Sequence, residues 1–207
     1  MGQKTHPKGF RMGMTETWES KWFTQHNFAD FIQEDYTIRG YIKKRFEKGA
    51  ISKIEIERTG KQVIITIHTG RPGVVIGRKG VLIDRLKEEL QLATGRGVTI
   101  NVQEVRGVDI NAALVAENIV RQIEQQISYR RAMKRAMSSA IKMGAKGIRV
   151  ACRGRLMGAE IARGEWYKEG KIPLHTIKEN VDYAQRVANT KSGTIGVKVW
   201  VCKEEGD

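Results

Sequence analysis

The stretch Val75-Ile76-Gly77-Arg78-Lys79-Gly80-Val81-Leu82-Ile83 constrains this chain more than any other. Two glycines bracket two cations, with an apolar pair in front and an apolar helix start behind. Without a Cβ, a Gly-x-x-Gly loop can turn tightly and let a phosphate backbone approach its N–H groups. A helix beginning there aims unpaired donors and a partial positive charge at the same point. Gly77, Arg78, Lys79 and Gly80 are therefore a candidate clamp for a nucleic-acid backbone. Other phosphate loops fit less well, because the chain contains neither Gly-x-x-x-x-Gly-Lys-Ser/Thr nor Gly-x-Gly-x-x-Gly. An ordinary strand-to-helix turn with exposed cations would carry the same four residues, so the elements around them must decide.

Upstream, Phe28, Phe31, Ile32, Ile38, Tyr41, Ile42 and Phe46 recur at helical spacing. They predict one long or broken helix over 28–48, with Asn27 as cap and Gly49 as stop. Ile54 and Ile56 then alternate with Glu55 and Glu57, and Val63, Ile65 and Ile67 with Gln62, Thr66 and His68, which predicts two strands joined at Thr59-Gly60. Beyond the clamp, Leu82, Leu86, Leu90 and Ala93 mark a helix closed by Gly95, and Val98, Ile100, Val102 and Val105 a strand. The order helix, strand, strand, short helix, Gly-x-x-Gly, helix, strand resembles the prokaryotic, type II KH domain. The residues 75–83 match that family's Val-Ile-Gly-x-x-Gly-x-x-Ile core without a gap. The resemblance implies an RNA-binding module over 18–107, with the loop at 77–80 gripping the RNA backbone.

Arg106-Gly107-Val108 reads as a hinge to a second α+β unit over 108–207. Asp109 is placed to cap a helix whose stripe is Leu114, Val115, Ile119, Val120, Ile123 and Ile127. A second helix runs from about Ser128 to Gly144, with Met133, Ala136, Met137, Ala140 and Ile141 on one face. Arg130, Arg131, Lys134, Arg135 and Lys142 fall on the other, within an arc of roughly 140° at about 100° per residue. Residues 125–159 hold nine Lys/Arg and no Asp or Glu, so no i,i+4 partner offsets them. Strands follow at Ile148–Cys152, 161–168, 181–187 and 195–201, giving two helices on a small, mostly antiparallel sheet. Arg149, Arg153 and Arg155 share one face of the first strand and suit phosphate contacts better than a core. Gly196 and Trp200 inside the last strand mark close packing or a platform.

Charge supports this direction. Lys plus Arg outnumber Asp plus Glu by 37 to 23, a net +14 over 207 residues, which predicts attraction to polyanions. No apolar run approaches the roughly 18 residues of a membrane span, so no membrane partner is expected. The N-terminal residues 1–17 lack a signal-peptide core; Lys4, Lys8 and Arg11 lie among glycines and Pro7 with no acid before Glu16. They predict a basic arm that orders against a polyanion, a composition shared equally by disordered tails. Cys152 and Cys202 make no Cys-x-x-Cys pair and fit a reducing compartment as small buried residues.

Three stretches in the second half make the resemblance specific: 130–136 (Arg-Arg-Ala-Met-Lys-Arg-Ala), 154–163 (Gly-Arg-Leu-Met-Gly-Ala-Glu-Ile-Ala-Arg) and 165–176 (Glu-Trp-Tyr-Lys-Glu-Gly-Lys-Ile-Pro-Leu-His-Thr). With the opening at 1–7 and the strand at 195–200, they are similar across the whole chain to the family of bacterial small-subunit ribosomal protein number three. Met157 and Gly164 stand where the family more usually has a glycine and a hydroxyl residue, and a basic C-terminal extension of some members is missing. The resemblance implies a component of the small-subunit head, in the cytoplasmic ribosome, bound to 16S rRNA beside the proteins numbered ten and fourteen. It further implies that Arg130, Arg131 and Lys134 line the channel through which mRNA enters, facing the proteins numbered four and five. Lys4, Lys8, Arg11, Arg135, Lys142, Arg149, Arg153 and Arg155 are the expected rRNA contacts.

Enzyme chemistry is not expected. His6, His26, His68 and His175 are scattered, and neither His-Glu-x-x-His nor Gly-x-Ser-x-Gly is present. Glu160 and Glu165 read as salt-bridge partners among arginines, and no cofactor or metal site is called for. A free RNA-binding regulator with the same clamp remains the alternative.

Overall fold

The computed structural model describes residues 4–46, 49–60 and 62–203. The expected features at Met1-Gly2-Gln3, at Glu47-Lys48 and at the tail from Glu204 lie outside these residues. The chain divides into two compact units, one spanning Trp18–Arg106, the other joining the N-terminal arm to the chain from Gly107 onward. The arm carries a short helix, α1 (Pro7–Phe10), and is described with the second unit.

The first unit is a four-stranded sheet with helices on one face. Strand β1 (Ser20–Lys21) leads to α2 (Phe28–Arg45), β2 (Ile51–Thr59), β3 (Gln62–Thr69), α3 (Pro72–Ile76), α4 (Val81–Thr94) and β4 (Gly97–Glu104). The strands lie in the order β1-β2-β3-β4; β2 and β3 are antiparallel, and the outer pairs are parallel. Alternation decides the burial. Ile54, Ile56, Val63, Ile65 and Ile67 face Ile38, Ile42, Leu86 and Leu90 of the helices, all within 2% of full burial. The opposite face carries Lys53, Glu55, Glu57 and His68. Burial pushes the Glu55 carboxyl up, but hydrogen bonds from Lys53 and Lys21 outweigh it and hold the group at about 2.

The element order is the one the KH resemblance implies, with three local differences. Helix α2 ends at Arg45, and Asn27 occupies its N-cap without a side-chain hydrogen bond. The aromatic stretch from Trp18 holds the extra edge strand β1. It is tied down through the buried Asp35, which accepts from Ser20 Oγ and Trp22 Nε1, both at 2.8 Å, and from Arg58. An ion pair of this kind leaves no sequence period.

The second unit holds α5 (Ala112–Glu124), α6 (Tyr129–Lys142), β5 (Gly147–Gly154), β6 (Arg163–Gly170), β7 (Val181–Thr190) and β8 (Gly193–Cys202). Its sheet is antiparallel throughout, in the order β6-β5-β8-β7. Ile119, Met133, Ile148, Val150, Cys152, Val197, Val199 and Val201 form its core at 0% exposure. The cap of α5 is Asn111 rather than Asp109, because a 3-10 turn at Val108–Ile110 moves the helix start along the chain. Asn111 Oδ1 accepts from Ala113 and Leu114, and Asp182 of β7 accepts from Ala112 at 2.9 Å. Ile127 lies beyond the end of α5, outside its apolar stripe.

The arm differs most from expectation. Arg11 is fully buried and donates to the carbonyls of Pro7, Pro173, Leu174, Thr176 and Glu179. Lys8 pairs with Asp182 at 3.0 Å. Two of the three arm cations thus strap the arm down, Arg11 onto the loop before β7 and Lys8 onto β7 itself, and Lys4 alone of the three is exposed. A guanidinium can satisfy several carbonyls at once because its donors are fixed in a planar fork.

Arg11→Met leaves five carbonyls without a donor and should destabilise the second unit by about 3 kcal/mol. Urea unfolding followed at Trp166 and Trp200 should shift, whereas the signal from Trp18 and Trp22 in the first unit should not. Arg11→Lys should recover little, because an ammonium cannot reproduce the fork.

Candidate nucleic-acid interface

Local backbone geometry builds the loop after α3. Gly77 has φ +74°, and a Cβ there would lie 2.6 Å from Leu82 Cγ, so this position excludes any side chain twice over. Arg78–Gly80 forms a 3-10 turn in which Lys79 has φ 54° and Gly80 φ 81°. Both cations are exposed. No side chain caps α4, whose first N–H, that of Val81, donates to the Arg78 carbonyl of the turn, while Leu86 and Leu90 fix the helix against the sheet. Two charges therefore sit at the uncapped start of a helix, where a phosphate backbone can pass.

In the second unit, Met133, Met137 and Ala140 anchor α6 to the sheet, with Cys152 Sγ 3.3 Å from Met133 Sδ. Arg130, Arg131, Lys134, Arg135 and Lys142 are exposed on its other side. The sequence has no acid near them, but the fold brings one from β6. Glu165 accepts from Arg130 Nη2 at 2.8 Å and from Tyr129 Oη at 2.7 Å. Those bonds, Arg130's foremost, lower the Glu165 carboxyl from its ordinary value to about 2. Arg130 is thereby oriented. Among the described residues, no acid lies within ion-pair range of Arg131, Lys134, Arg135 or Lys142.

The β5 arginines part company. Arg149 and Arg153 keep the outward face, whereas the strand ends at Gly154 and Arg155 turns away to donate to the Ala159 carbonyl at 2.9 Å. Arg149 is stacked, its Cζ 4.7 Å from the Trp166 ring centroid and 5.1 Å from that of Trp200. The sequence pattern marks Trp200 as close packing or a platform and gives no such role to Trp166 or Tyr183, which sheet register places on the same face. Burial pushes the Cys152 thiol up to about 12, far from a nucleophile's range. Among the described residues no group of three His, Cys, Asp or Glu could hold a metal ion, and no helix is long and apolar enough to cross a membrane.

Comparison with known proteins covers both units. A family model described as KH domain matches residues 37–109, and one described as Ribosomal protein S3, C-terminal domain matches 119–201. The chain is 53% identical to the small ribosomal subunit protein uS3 of Myxococcus xanthus over 205 residues, 99% of this chain and 93% of that one. It is 51% identical to the protein of the same name from Magnetococcus marinus over 203 residues, covering 98% and 97%. The Carboxydothermus hydrogenoformans protein of that name is 53% identical over 206 residues, covering 99% and 93%.

Replacing Arg78 and Lys79 by Asp should weaken single-strand RNA binding and flatten its salt dependence by roughly 1.4 in log–log slope, about 0.7 for each phosphate no longer neutralised. Gly77→Ala should instead lower the melting temperature of the first unit, since its Cβ meets Leu82 and its φ is left-handed. Because the folded Glu165 carboxyl sits near 2, below the ordinary 4.5, its contribution is complete above 4.5 and lost only as pH falls towards 2. A carbon-detected NMR titration of Glu165 reads this directly. Glu165→Gln should release Arg130 and strengthen non-specific RNA binding at low salt.

Proposed function

The chain belongs to the uS3 family of small ribosomal subunit proteins, and we propose that it is a structural constituent of the small-subunit head that binds 16S rRNA and lines the channel through which mRNA enters. Its work is structural and not enzymatic. The observation that carries the reading is the exposed array on α6, in which Arg131 and Lys134 have no acidic partner among the described residues while Arg130 is held in place by Glu165. Cations of this kind bind phosphates without reading bases, as a wall must if any messenger is to pass.

The partners in this reading are 16S rRNA, mRNA and the proteins numbered ten and fourteen in the head, with those numbered four and five across the channel. The location is the cytoplasmic ribosome. Lys4, Arg135, Lys142, Arg149 and Arg153 remain available as rRNA contacts. Arg11 leaves that set because its donors are occupied inside the fold. Lys8 pairs with Asp182, and Arg155 donates to Ala159.

The α6 cations need no nucleotide site to help a structured messenger through. Holding two separated strands by their backbones biases a fraying base pair towards open, and translocation supplies direction. The rival role for the same residues is simple anchoring of rRNA.

Alanine at Arg130, Arg131 and Lys134 together should leave the protein sedimenting with small subunits at near-normal yield. Translation in a reconstituted system should slow on messengers with stable hairpins and stay unchanged on unstructured ones. Particles that do not assemble would favour anchoring, and normal passage through hairpins would remove these residues from the mechanism.

A further inference from the structure

The outward face of the second sheet does not fit the description of a merely solvated surface. Register fixes what it displays. Trp166, Lys168 and Gly164 on β6 neighbour Ala151, Arg149 and Arg153 on β5, which in turn neighbour Lys198, Trp200 and Gly196 on β8. Beyond them Tyr183 and Gln185 of β7 sit beside Trp200 and Lys198. These outward positions hold four cations, Arg149, Arg153, Lys168 and Lys198, and no acid.

The aromatic groups form a continuous row. His6 meets Tyr183 edge-on at 4.9 Å, Tyr183 lies 5.3 Å from Trp200, and Arg149 bridges Trp200 to Trp166. Lys4, His6, His175, Lys198 and Trp200 border a cleft of about 380 Å³ at one end of this row. Trp166 is 56% exposed at the other. Arg149 makes no ion pair among the described residues, and its Nε is enclosed without a hydrogen-bond partner. Two ring faces flank its guanidinium, and the charge itself has no counter-ion among the described residues.

We propose that this face, running from Trp200 through Arg149 to Trp166, with the buried Tyr183 supporting Trp200 from behind, is a stacking platform for the bases of an unpaired RNA strand whose phosphates meet Arg153, Lys168 and Lys198. The three strands that carry Trp200, Arg149 and Trp166, about 4.8 Å apart, give a row of roughly 10 Å, and four-stranded sheets with aromatic faces stack two or three bases in this way. The absence of acids favours a polyanion over a protein. Gly164 and Gly196 flank Arg153 to one side of the rings, and the Arg153 side chain lies over Gly164. The platform rests on the RNA-binding reading of the family, yet it makes a claim about bases that neither the loop at 77–80 nor the α6 cations make.

The test uses the full chain carrying Arg78→Asp and Lys79→Asp, so that the loop does not contribute. Its probes are a short oligouridylate and an abasic ribose-phosphate oligomer of equal length and charge. The oligouridylate should bind about tenfold more tightly than the abasic oligomer, which lies within the range that stacking on one aromatic residue is worth, and should quench tryptophan fluorescence. The ratio should hold as salt is raised, because both probes carry the same charge. Trp166→Ala, at an exposed position, should abolish the preference while leaving abasic affinity unchanged. Arg149→Lys, which keeps the charge and loses the planar stack, should reduce it.

Equal affinity for the two oligomers, or a preference that survives both substitutions, overturns the platform and leaves the face to a protein partner. The ribosome assay of the α6 cations is independent of this result. A failed platform with a normal hairpin defect, or the reverse, tells the two apart.

Discussion

One-sided burial in each four-stranded sheet is the constraint on which the rest of this protein depends. On the central strands β2, β3, β5 and β8 alternate residues are mostly isoleucine or valine, and helices cover the face those residues share. The remaining face of each sheet, and the outer side of each helix, are left to carry charge. A sheet sandwiched on both sides would bury Arg149, Arg153 and Lys168 at a prohibitive desolvation cost. Helices α4 and α6 are positioned by the same layer. Leu86 and Leu90 hold the open N-terminus of α4 behind the loop, and Met133 and Met137 turn the basic side of α6 outwards.

The excess of positive charge is not one surface but several uses of the same chemistry. At Arg11 the guanidinium is a structural cross-link inside the fold, joining five carbonyls that would otherwise need water. Arg130 is held in a forked contact with Glu165 that fixes its direction without removing it from solvent. Arg149 is held by ring faces. Arg78 and Lys79 are simply presented, at the tip of a turn. Net charge predicts attraction to polyanions but cannot say which cations are available to them, because availability is set by neighbours distant in sequence.

Backbone conformation adds a second layer of demand near both candidate RNA surfaces. Lys79 and Met157 each adopt a left-handed φ, 54° and 56°, that a side chain takes only under constraint. Met157 is the position where the family resemblance leads one to expect glycine, and its angle supplies the reason: glycine fits this backbone without strain. Methionine there is 75% exposed, so the substitution meets backbone cost but no steric obstruction. At Lys79 the same conformation turns a charged side chain outward from between two glycines.

By itself the sequence determined the α+β class, the two-unit organisation near residue 107, the Gly-x-x-Gly turn and the basic side of α6. These are local matters, written in periods of 2 and about 3.6 residues and in glycines whose φ cannot be shared. Only the tertiary structure decided that the arm folds back through Arg11, that β1 joins the first sheet through Asp35, that Asn111 displaces Asp109 as cap, and that Glu165 reaches Arg130 from 35 residues away. It also decided that two tryptophans, a tyrosine and an arginine from four strands form one row. Apart from the Asn111 cap, each of these is a contact between residues far apart in the chain. Such contacts depend on sheet order and register, which alternation along a single strand does not encode.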